Sequence, residues 1–327
     1  MKRDNSRKSP VFLIIILILV LVFVISGLQF LESTVFHPTG TTEQYENKTI
    51  VRDGVSYFPR QDMTVIMLAG IDEEGPVVSS GSYNNPGEAD MITLLVFDET
   101  DKKLDVLTLN RDTMLDMPVL GIGGKQAGTI FGQLALAHTY GTGLEDSAVN
   151  LRTTVSNFMY GVHIDYYVTM NMDAIVTLND LVGGVKVNVT EDFSAIDPAI
   201  RKGEMVLQGQ QALTYIRTRQ GLGDQLNVTR MQRQRDYMVG FISALKSSMK
   251  DSATFALEAY EKTSDYTVTD CSSASITALA NRLMGYELRD VVSIQGENVS
   301  GEKYMEYYVD KEALDRVILK YLYAPKK

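Results

Sequence analysis

Arginine side chains are concentrated in one stretch of the chain, residues 217–235, which contains no lysine. The arginines are Arg217, Arg219, Arg230, Arg233 and Arg235. A planar guanidinium donates paired hydrogen bonds to a phosphate, which the ammonium of lysine does less well. This composition therefore indicates phosphate binding.

Two parts of this stretch have the spacing that a binding surface needs. Arg217 and Arg219 share a face if the backbone there is extended. Arg230, Arg233 and Gln234 stand at i, i+3 and i+4 of a predicted helix, where they form one stripe. An apolar stripe lies about a quarter turn away, so the basic stripe borders the core as a cleft wall would. The alternative is a solvated basic face paired with the domain's many acids.

Polar residues also stand at the ends of three predicted strands. Asp72 follows the first strand, Asp90 begins the second, and Arg111 with Asp112 follow the third. Ligands gather at strand ends in α/β sheets. Two carboxylates there could hold Mg²⁺, which usually takes one or two protein carboxylates and leaves its other positions to water and phosphate. The alternative is that these aspartates cap turns or helices.

The elements that must position these residues follow an α/β pattern. Apolar runs predict strands over 64–69, 91–97, 104–109, 166–170, 185–189 and 304–309. Helical patterns cover 129–140, 144–159, 173–181, 208–215, 228–249, 272–284 and 310–322. Strands interleaved with helices predict a single α-β-α sandwich domain, in which helices cover both faces of a central mixed sheet.

The N-terminal part of the chain predicts one transmembrane helix. Residues 11–30 carry no charge and are mostly apolar, and such a run can cross a ~30 Å hydrocarbon core. The basic residues precede it, so the positive-inside rule places residues 1–10 in the cytoplasm and the rest outside. Residues 31–62, polar and irregular, then predict an extracellular stalk. A cleaved signal peptide is the alternative, with the same outward placement.

The charge distribution limits the partners of the outer domain. Residues 1–30 carry a net charge of +3 and the whole chain −10, which leaves −13 on the remainder. So acidic a domain argues against a nucleic-acid partner. It also means that any phosphate must be bound by arginines gathered locally. The sequence contains neither a P-loop motif nor a Gly-x-Ser-x-Gly turn, and its single cysteine excludes an internal disulfide.

Seven segments resemble, in the same order, the sequence blocks of the LytR-CpsA-Psr family. They are residues 64–72, 89–95, 107–113, 164–171, 181–189, 209–219 and 230–234. Seven ordered blocks are a specific signal, where any one of them would be weak. The resemblance implies a catalytic core over 63–249, followed by a C-terminal α/β extension over 250–327 that packs on the core.

The resemblance also implies an activity. Such proteins are single-pass membrane enzymes that move a glycopolymer, such as teichoic acid or capsular polysaccharide, from a polyprenyl pyrophosphate carrier onto peptidoglycan through a phosphodiester, with Mg²⁺ beside the pyrophosphate. The matching metal ligands are Asp72 and Asp90. The matching phosphate-binding residues are Arg111, Arg217, Arg219, Arg230 and Gln234. We add Arg233 from the same stripe, and expect Asp112 or Asp224 to orient the attacking hydroxyl.

Three departures from the family pattern keep other functions open. Glu74 stands where the family often has arginine, and Gln133 where it commonly has lysine. The acid before the last block is displaced, so Asp224 or Asn227 could fill its role. The alternatives are a non-catalytic sensor or scaffold that binds a polyprenyl phosphate, and a polyprenyl pyrophosphate hydrolase.

The carrier's tail requires an apolar groove, which we expect along helices such as 129–159 and 228–245. Possible lining residues are Leu134, Leu136, Val149, Leu151, Val155 and Phe158. For any one of them, a place in the ordinary core is the more common outcome.

Overall fold

The computed structural model describes residues 49–218 and 227–325. The strands are β1 (Ile50–Arg52), β2 (Val55–Pro59), β3 (Met63–Ile71), β4 (Ala89–Asp98), β5 (Lys103–Leu109), β6 (Met114–Leu120), β7 (Gln126–Gln133), β8 (Tyr166–Met170), β9 (Val185–Val189), β10 (Gly203–Leu207), β11 (Thr267–Thr269), β12 (Glu287–Ser293), β13 (Gly296–Ser300), β14 (Met305–Val309) and β15 (Tyr323–Pro325). The α-helices are α1 (Glu145–Phe158), α2 (Met172–Leu181), α3 (Gln210–Arg217), α4 (Asn227–Asp251), α5 (Phe255–Thr263), α6 (Ser273–Gly285) and α7 (Lys311–Tyr321).

Six strands form the central sheet, in the order β11-β8-β3-β4-β5-β12. The consecutive strands β3, β4 and β5 are antiparallel. β8 pairs with β3 and β12 with β5 in parallel, whereas β11 is antiparallel to β8. The predicted α/β fold with a central mixed sheet is therefore confirmed, and the second and third predicted strands, β4 and β5, form a hairpin.

The two faces of this sheet are covered by different helices. In β3, Val65 and Met67 belong to a core shared with α1 and α7. Ile66 and Leu68, which point the other way, pack with α4 and α6. This alternation is what a strand buried on both faces requires. A third core joins β9 and β10 to α2, α3 and α4.

The segment 129–140 is not the helix that we predict from the sequence. Gln126–Gln133 is β7, which pairs with β6 in an antiparallel hairpin. Only Leu134–His138 is helical, as a short 3-10 turn. Gly132 works against a helix here, since a glycine weakens a helix by about 1 kcal/mol relative to alanine, and the hairpin satisfies the backbone instead.

The structure adds detail to the segments on either side of the predicted core. β2 pairs with β1 and with β15, so the stalk predicted over 31–62 is ordered as strands from Ile50. The segment 250–327 does more than pack on a core, because β11 and β12 are the two edge strands of the central sheet. The predicted anchor, 11–30, lies outside the described residues. Within the part of the chain that the structure describes, no helix is both long and apolar enough to cross a bilayer.

A buried polar clamp fixes the loop that leads into β4. The amide of Asn85 donates to the carbonyls of His138 (2.8 Å) and Gly141 (2.9 Å). Its oxygen accepts the N–H of Gly87 (2.8 Å), and Nδ1 of His138 donates to the Gly87 carbonyl (2.8 Å). A Cβ at Gly87 would lie 2.8 Å from Ile71, so a side chain does not fit. The N–H and the carbonyl of Gly87 are therefore both hydrogen-bonded to buried side chains.

His138 is expected to make the fold sensitive to mild acid. Burial lowers its pKa from 6.5 to about 4. Because the unfolded state binds the proton first, stability is lost as the pH falls from about 6.5 towards about 4, by about 3 kcal/mol at most. His138→Asn can still donate to Gly87 but cannot titrate, so its free energy of unfolding in urea should depend less on pH over this range. An unchanged pH dependence in the variant contradicts the expectation.

Candidate functional site

The ends of β3, β4 and β5 meet along one edge of the central sheet, the edge that runs across the ends of the strands. Because β3, β4 and β5 are antiparallel neighbours, the carboxyl ends of β3 and β5 lie beside the amino end of β4; Ile71, for example, pairs with Ala89. Asp72, Asp90 and Arg111 are therefore brought together from separate parts of the chain. This is the arrangement that the strand-end pattern predicts.

An open cleft of about 750 Å³ lies over this edge. Its lining residues are Asp72, Glu88, Asp90, Arg111, Ile196, Gln210, Leu213, Thr214, Arg217 and Thr218. Four of them were predicted as site residues, and α3 contributes Arg217 at its last position. The cleft thus combines carboxylates with guanidinium groups.

Asp90 lies between two arginines. Nη1 of Arg230 donates to its Oδ2 at 3.0 Å, and Nη1 of Arg111 donates to its Oδ1. Arg230 is only 1% exposed. Since a buried charge is costly unless it is paired, this contact ties α4 to β4. The stripe of Arg230, Arg233 and Gln234 on α4 is buried and is not a solvated face.

Arg217 makes the second pairing in the cleft. Its Nη2 lies 2.6 Å from Oδ1 of Asp72, and its Nη1 lies 3.7 Å from Glu74. The side chains of Arg217 and Asp72 are 43% and 38% exposed. Because water screens an exposed pair, Arg217 can turn from Asp72 to an incoming anion at small cost.

Glu88 is a cleft residue that was not among the predicted site residues. Its carboxylate accepts from Nη2 of Arg111, and its carbonyl oxygen accepts the N–H of Asp72 at 2.9 Å. The available signal was its position two residues before Asp90, since residues two apart in an extended chain point to the same side.

The structure does not bring Arg233 into the cleft. This buried arginine pairs with Glu191 at 3.2 Å and donates to the carbonyls of Tyr215 and Thr218. Its guanidinium lies 5.5 Å from the ring centroid of Phe193, and burial lowers its pKa. The predicted role in phosphate binding is replaced by a structural one, which joins the end of α3 to α4.

Gln234 has a similar structural contact. It is buried, and its amide donates to the Ile216 carbonyl at 3.3 Å. The remaining predicted site residues of this region, Arg219 and Asp224, lie outside the described residues.

Asp112 lies behind the cleft and not on its surface. It is buried, and it accepts from Nε of Arg111 at 3.3 Å and from Nε2 of Gln133 at 3.0 Å. The same amide of Gln133 donates to the Met305 carbonyl at 2.8 Å. Asp112 is thus placed to orient Arg111, and the expectation that it contacts the attacking hydroxyl does not fit its burial.

Asp72 and Asp90 have the chemistry that Mg²⁺ prefers, and Glu88 adds a third carboxylate. In this structure each of these side chains is held by a guanidinium. Over residues 49–218 and 227–325, no three acidic, histidine or cysteine side chains are already arranged around a metal position. A cation would fit this donor set only if arginines turn away from the carboxylates.

A second, almost wholly apolar cavity of about 250 Å³ lies between the central sheet and helices α4, α5 and α6. Of the two helical segments along which we expect the groove, the one over 228–245 lies in α4, which lines this cavity. The six possible lining residues of the other segment pack in the core of the opposite sheet face, the more common outcome for each of them. These are Leu134, Leu136, Val149, Leu151, Val155 and Phe158.

One face of α4 runs from the cleft to the apolar cavity. Arg230 and Gln234 stand at its start, and Met238, Ile242 and Leu245, which line the cavity, follow at steps of three or four residues. Positions with this spacing lie on one side of a helix. At about 1.5 Å per residue the face is about 22 Å long. A polar site and an apolar cavity are therefore joined along a single helix.

Arg233→Lys is expected to lower stability without weakening anion binding. Lysine cannot reproduce the forked contacts of Arg233, and disrupting a buried pair should cost about 2–4 kcal/mol. The matched variant Arg217→Lys should change stability by less than about 0.5 kcal/mol and bind inorganic pyrophosphate about tenfold more weakly. Thermal unfolding and calorimetric titration measure the two effects. Weaker pyrophosphate binding in Arg233→Lys with an unchanged Tm would return Arg233 to the phosphate-binding set.

Solved structures share this fold. Bacillus subtilis TagV matches with a TM-score of 0.60 and 24% identity, over 79% of this chain and 95% of that one. A structure of TagT bound to LI-WTA matches with a TM-score of 0.60 and 20% identity, over 79% of this chain and 88% of that one. At these identities the likeness establishes the fold.

Sequence comparison extends the likeness to a family. The polyisoprenyl-teichoic acid–peptidoglycan teichoic acid transferase TagU of Bacillus licheniformis is 26% identical over 249 residues, which are 74% of this chain and 73% of that protein. The model of the LytR_cpsA_psr family matches residues 32–320. The resemblance drawn from the seven sequence blocks is thereby confirmed, and the chain belongs to the LytR-CpsA-Psr family.

Proposed function

We propose that this protein is a Mg²⁺-dependent phosphotransferase of the cell membrane, anchored through residues 11–30 with its folded domain outside the cell. It moves a glycopolymer from a polyprenyl pyrophosphate carrier onto peptidoglycan and forms a phosphodiester. The relative TagU is named a teichoic acid transferase, so a teichoic acid is the first polymer to test.

The single observation that carries this proposal is the continuous face of α4. A polyprenyl pyrophosphate has a charged head beside a long apolar chain. Arg230 of this helix holds the cleft residue Asp90, and Met238, Ile242 and Leu245 of the same helix line the apolar cavity. A soluble nucleotide or sugar phosphate would leave this cavity without a ligand. The order of polar and apolar surfaces therefore favours a lipid-linked phosphate.

Arg111 and Arg217, which line the cleft, bind the oxygens of the pyrophosphate, and the buried Arg230 holds Asp90 beside them. Phosphoryl transfer needs charge neutralisation and in-line positioning more than covalent chemistry from the protein. Arg111 is buried and is fixed by Asp90 and Asp112, so its guanidinium is oriented before the substrate arrives. Preorganised donors of this kind stabilise a transition state with little rearrangement.

The other residues of the cleft have supporting roles. Asp72 and Asp90 hold Mg²⁺, which, when bound, neutralises charge that develops on the pyrophosphate. Asp112, fixed by Gln133, keeps Arg111 in its orientation. Asp224 is proposed to accept the proton of the acceptor hydroxyl. The hydroxyl oxygen then attacks the phosphorus that bears the glycopolymer, the bond to the bridging oxygen breaks, and polyprenyl phosphate leaves.

Two observations keep a non-catalytic binding role as the second candidate. Glu74 lies 3.7 Å from Arg217, where it competes with an incoming phosphate for that guanidinium. Gln133 supplies no positive charge beside Asp112. Both features weaken charge neutralisation, and a protein of this kind could bind the carrier without turnover.

Arg111→Ala and Arg217→Ala are each expected to lower transfer by about 100-fold, since each removes a donor to the reacting group. The assay uses the full-length protein, a polyprenyl pyrophosphate-linked polymer, peptidoglycan and Mg²⁺. Arg316→Ala, at an exposed position on α7, is the control and should transfer normally. Unchanged transfer in both cleft variants contradicts the assignment. Carrier binding with no turnover favours the sensor or scaffold, and release of free phosphorylated polymer without an acceptor favours the hydrolase.

Ile242→Trp is expected to impair the use of a long-chain carrier. The indole fills the apolar cavity, and overpacking costs about 1–3 kcal/mol in stability. Binding of inorganic pyrophosphate in the cleft should be unaffected. Val239→Trp is the matched control, because Val239 lies on the same helix and is 42% exposed. Equal loss of long-chain turnover in both variants would argue that the tail does not lie in this cavity.

A further inference from the structure

We propose that Glu88 couples the two ligands of the cleft, so that the arginines bind a pyrophosphate strongly only when a divalent cation is also bound. Glu88 lies outside the set of residues that the family resemblance implies. The inference rests on the proposed function, because it takes a pyrophosphate head group and a cation as the ligands.

Each donor nitrogen of Arg111 is held by a carboxylate. Nη2 donates to Glu88, Nη1 to Asp90, and Nε to Asp112 at 3.3 Å. The arginine is buried, so water cannot readily replace these partners, and a donor left unpaired there would be costly. Three of its five N–H groups are thereby occupied, and a pyrophosphate oxygen can take the Nη2 contact that Glu88 now makes only if Glu88 moves away.

Glu88 is the partner that can leave. Its side chain is 39% exposed, against 11% for Asp90 and 6% for Asp112. Asp90 is also held by Arg230, and Asp112 by Gln133. The charge of Glu88 can be hydrated when it moves outwards, whereas the other two carboxylates would lose buried partners.

The cleft carries more acid than base among the residues that the structure describes. Among the residues that line it, the carboxylates are Asp72, Glu88 and Asp90, and the guanidinium groups are those of Arg111 and Arg217. Three negative and two positive groups leave a formal charge of −1, which repels a further anion. A divalent cation on the carboxylates reverses the sign to +1.

The two ligands thus replace the contact between Glu88 and Arg111: the cation binds the carboxylate, and the anion binds the guanidinium. A cation attracts Glu88 away from Arg111, and the N–H groups that it releases face the anion. Thermodynamic linkage makes the effect reciprocal, so the anion must strengthen cation binding by the same factor. Couplings of this kind are typically about 5–150-fold.

Glu88→Gln tests the coupling without disturbing the fold. Glutamine keeps the size of the side chain and can still accept a hydrogen bond from Arg111, but it carries no charge. The affinity of the full-length protein for inorganic pyrophosphate is measured by calorimetry, first in EDTA and then with Mn²⁺. Binding of Mn²⁺ alone is followed by its electron paramagnetic resonance signal.

Relative to the wild type, Glu88→Gln should bind metal-free pyrophosphate about tenfold more tightly and Mn²⁺ alone several-fold more weakly. The gain in pyrophosphate affinity that Mn²⁺ produces should fall by about tenfold. Both proteins are titrated in the same solutions, so the Mn²⁺–pyrophosphate complex that forms in water changes both apparent affinities by the same factor. That factor cancels when the affinity of the variant is divided by that of the wild type.

Glu312→Gln is the control, because it removes the same charge from an exposed position on α7 that does not line the cleft. Screening should limit its effect on metal-free affinity to less than about threefold. Equal responses in the two variants, or an unchanged metal-free affinity in Glu88→Gln, contradict the role of Glu88. A wild-type protein that binds no pyrophosphate even with Mn²⁺ contradicts the proposed function itself.

Discussion

The buried ion pair between Arg230 and Asp90 is the contact on which the arrangement of the cleft depends. It joins the start of α4 to the amino end of β4. Removing one partner of such a pair typically costs about 3–5 kcal/mol, because the other charge is left buried and unpaired. The pair therefore fixes where α4 begins relative to the sheet. The rest of the helix must then lie along one sheet face, where it forms a wall of the apolar cavity.

The contacts around this pair explain how an acidic domain can offer a site for phosphate. The arginines are gathered at one sheet edge, where carboxylates from three strand ends hold them in place. In the absence of ligand the opposite charges neutralise one another, which limits the cost of bringing like charges together. The same carboxylates have the oxygen donors that a hard cation requires. The cleft is thus built so that an anion and a cation can replace contacts that the protein makes with itself.

Two buried polar networks support this cleft without lining it. The clamp formed by Asn85 and His138 holds Gly87, and so the position of the chain that carries Glu88 and Asp90. On the other side, Arg233 joins the end of α3 to α4. Neither network is exposed, and each satisfies backbone groups that would otherwise be unpaired. Side chains held in this way keep a charged site in one geometry.

The sequence by itself determined the strand and helix pattern, the α/β class, the family and the strand-end positions of Asp72, Asp90 and Arg111. Local periodicity predicts the strands and helices and hence the class, and the end of each apolar run gives the strand-end positions. The order of the motifs indicates the family. None of these signals depends on a contact with a distant part of the chain. It did not determine β7, where pairing with β6 prevailed over a helical pattern, or the sheet face that carries the apolar cavity.

Arg230 and Arg233 show the physical reason. They are the same residue type, three positions apart on one helix, and nothing local distinguishes them. Arg230 meets Asp90, 140 residues away in the chain, whereas Arg233 meets Glu191 and the end of α3. Periodicity tells which side chains share a face of a helix, but only the packing of the whole chain decides what that face meets.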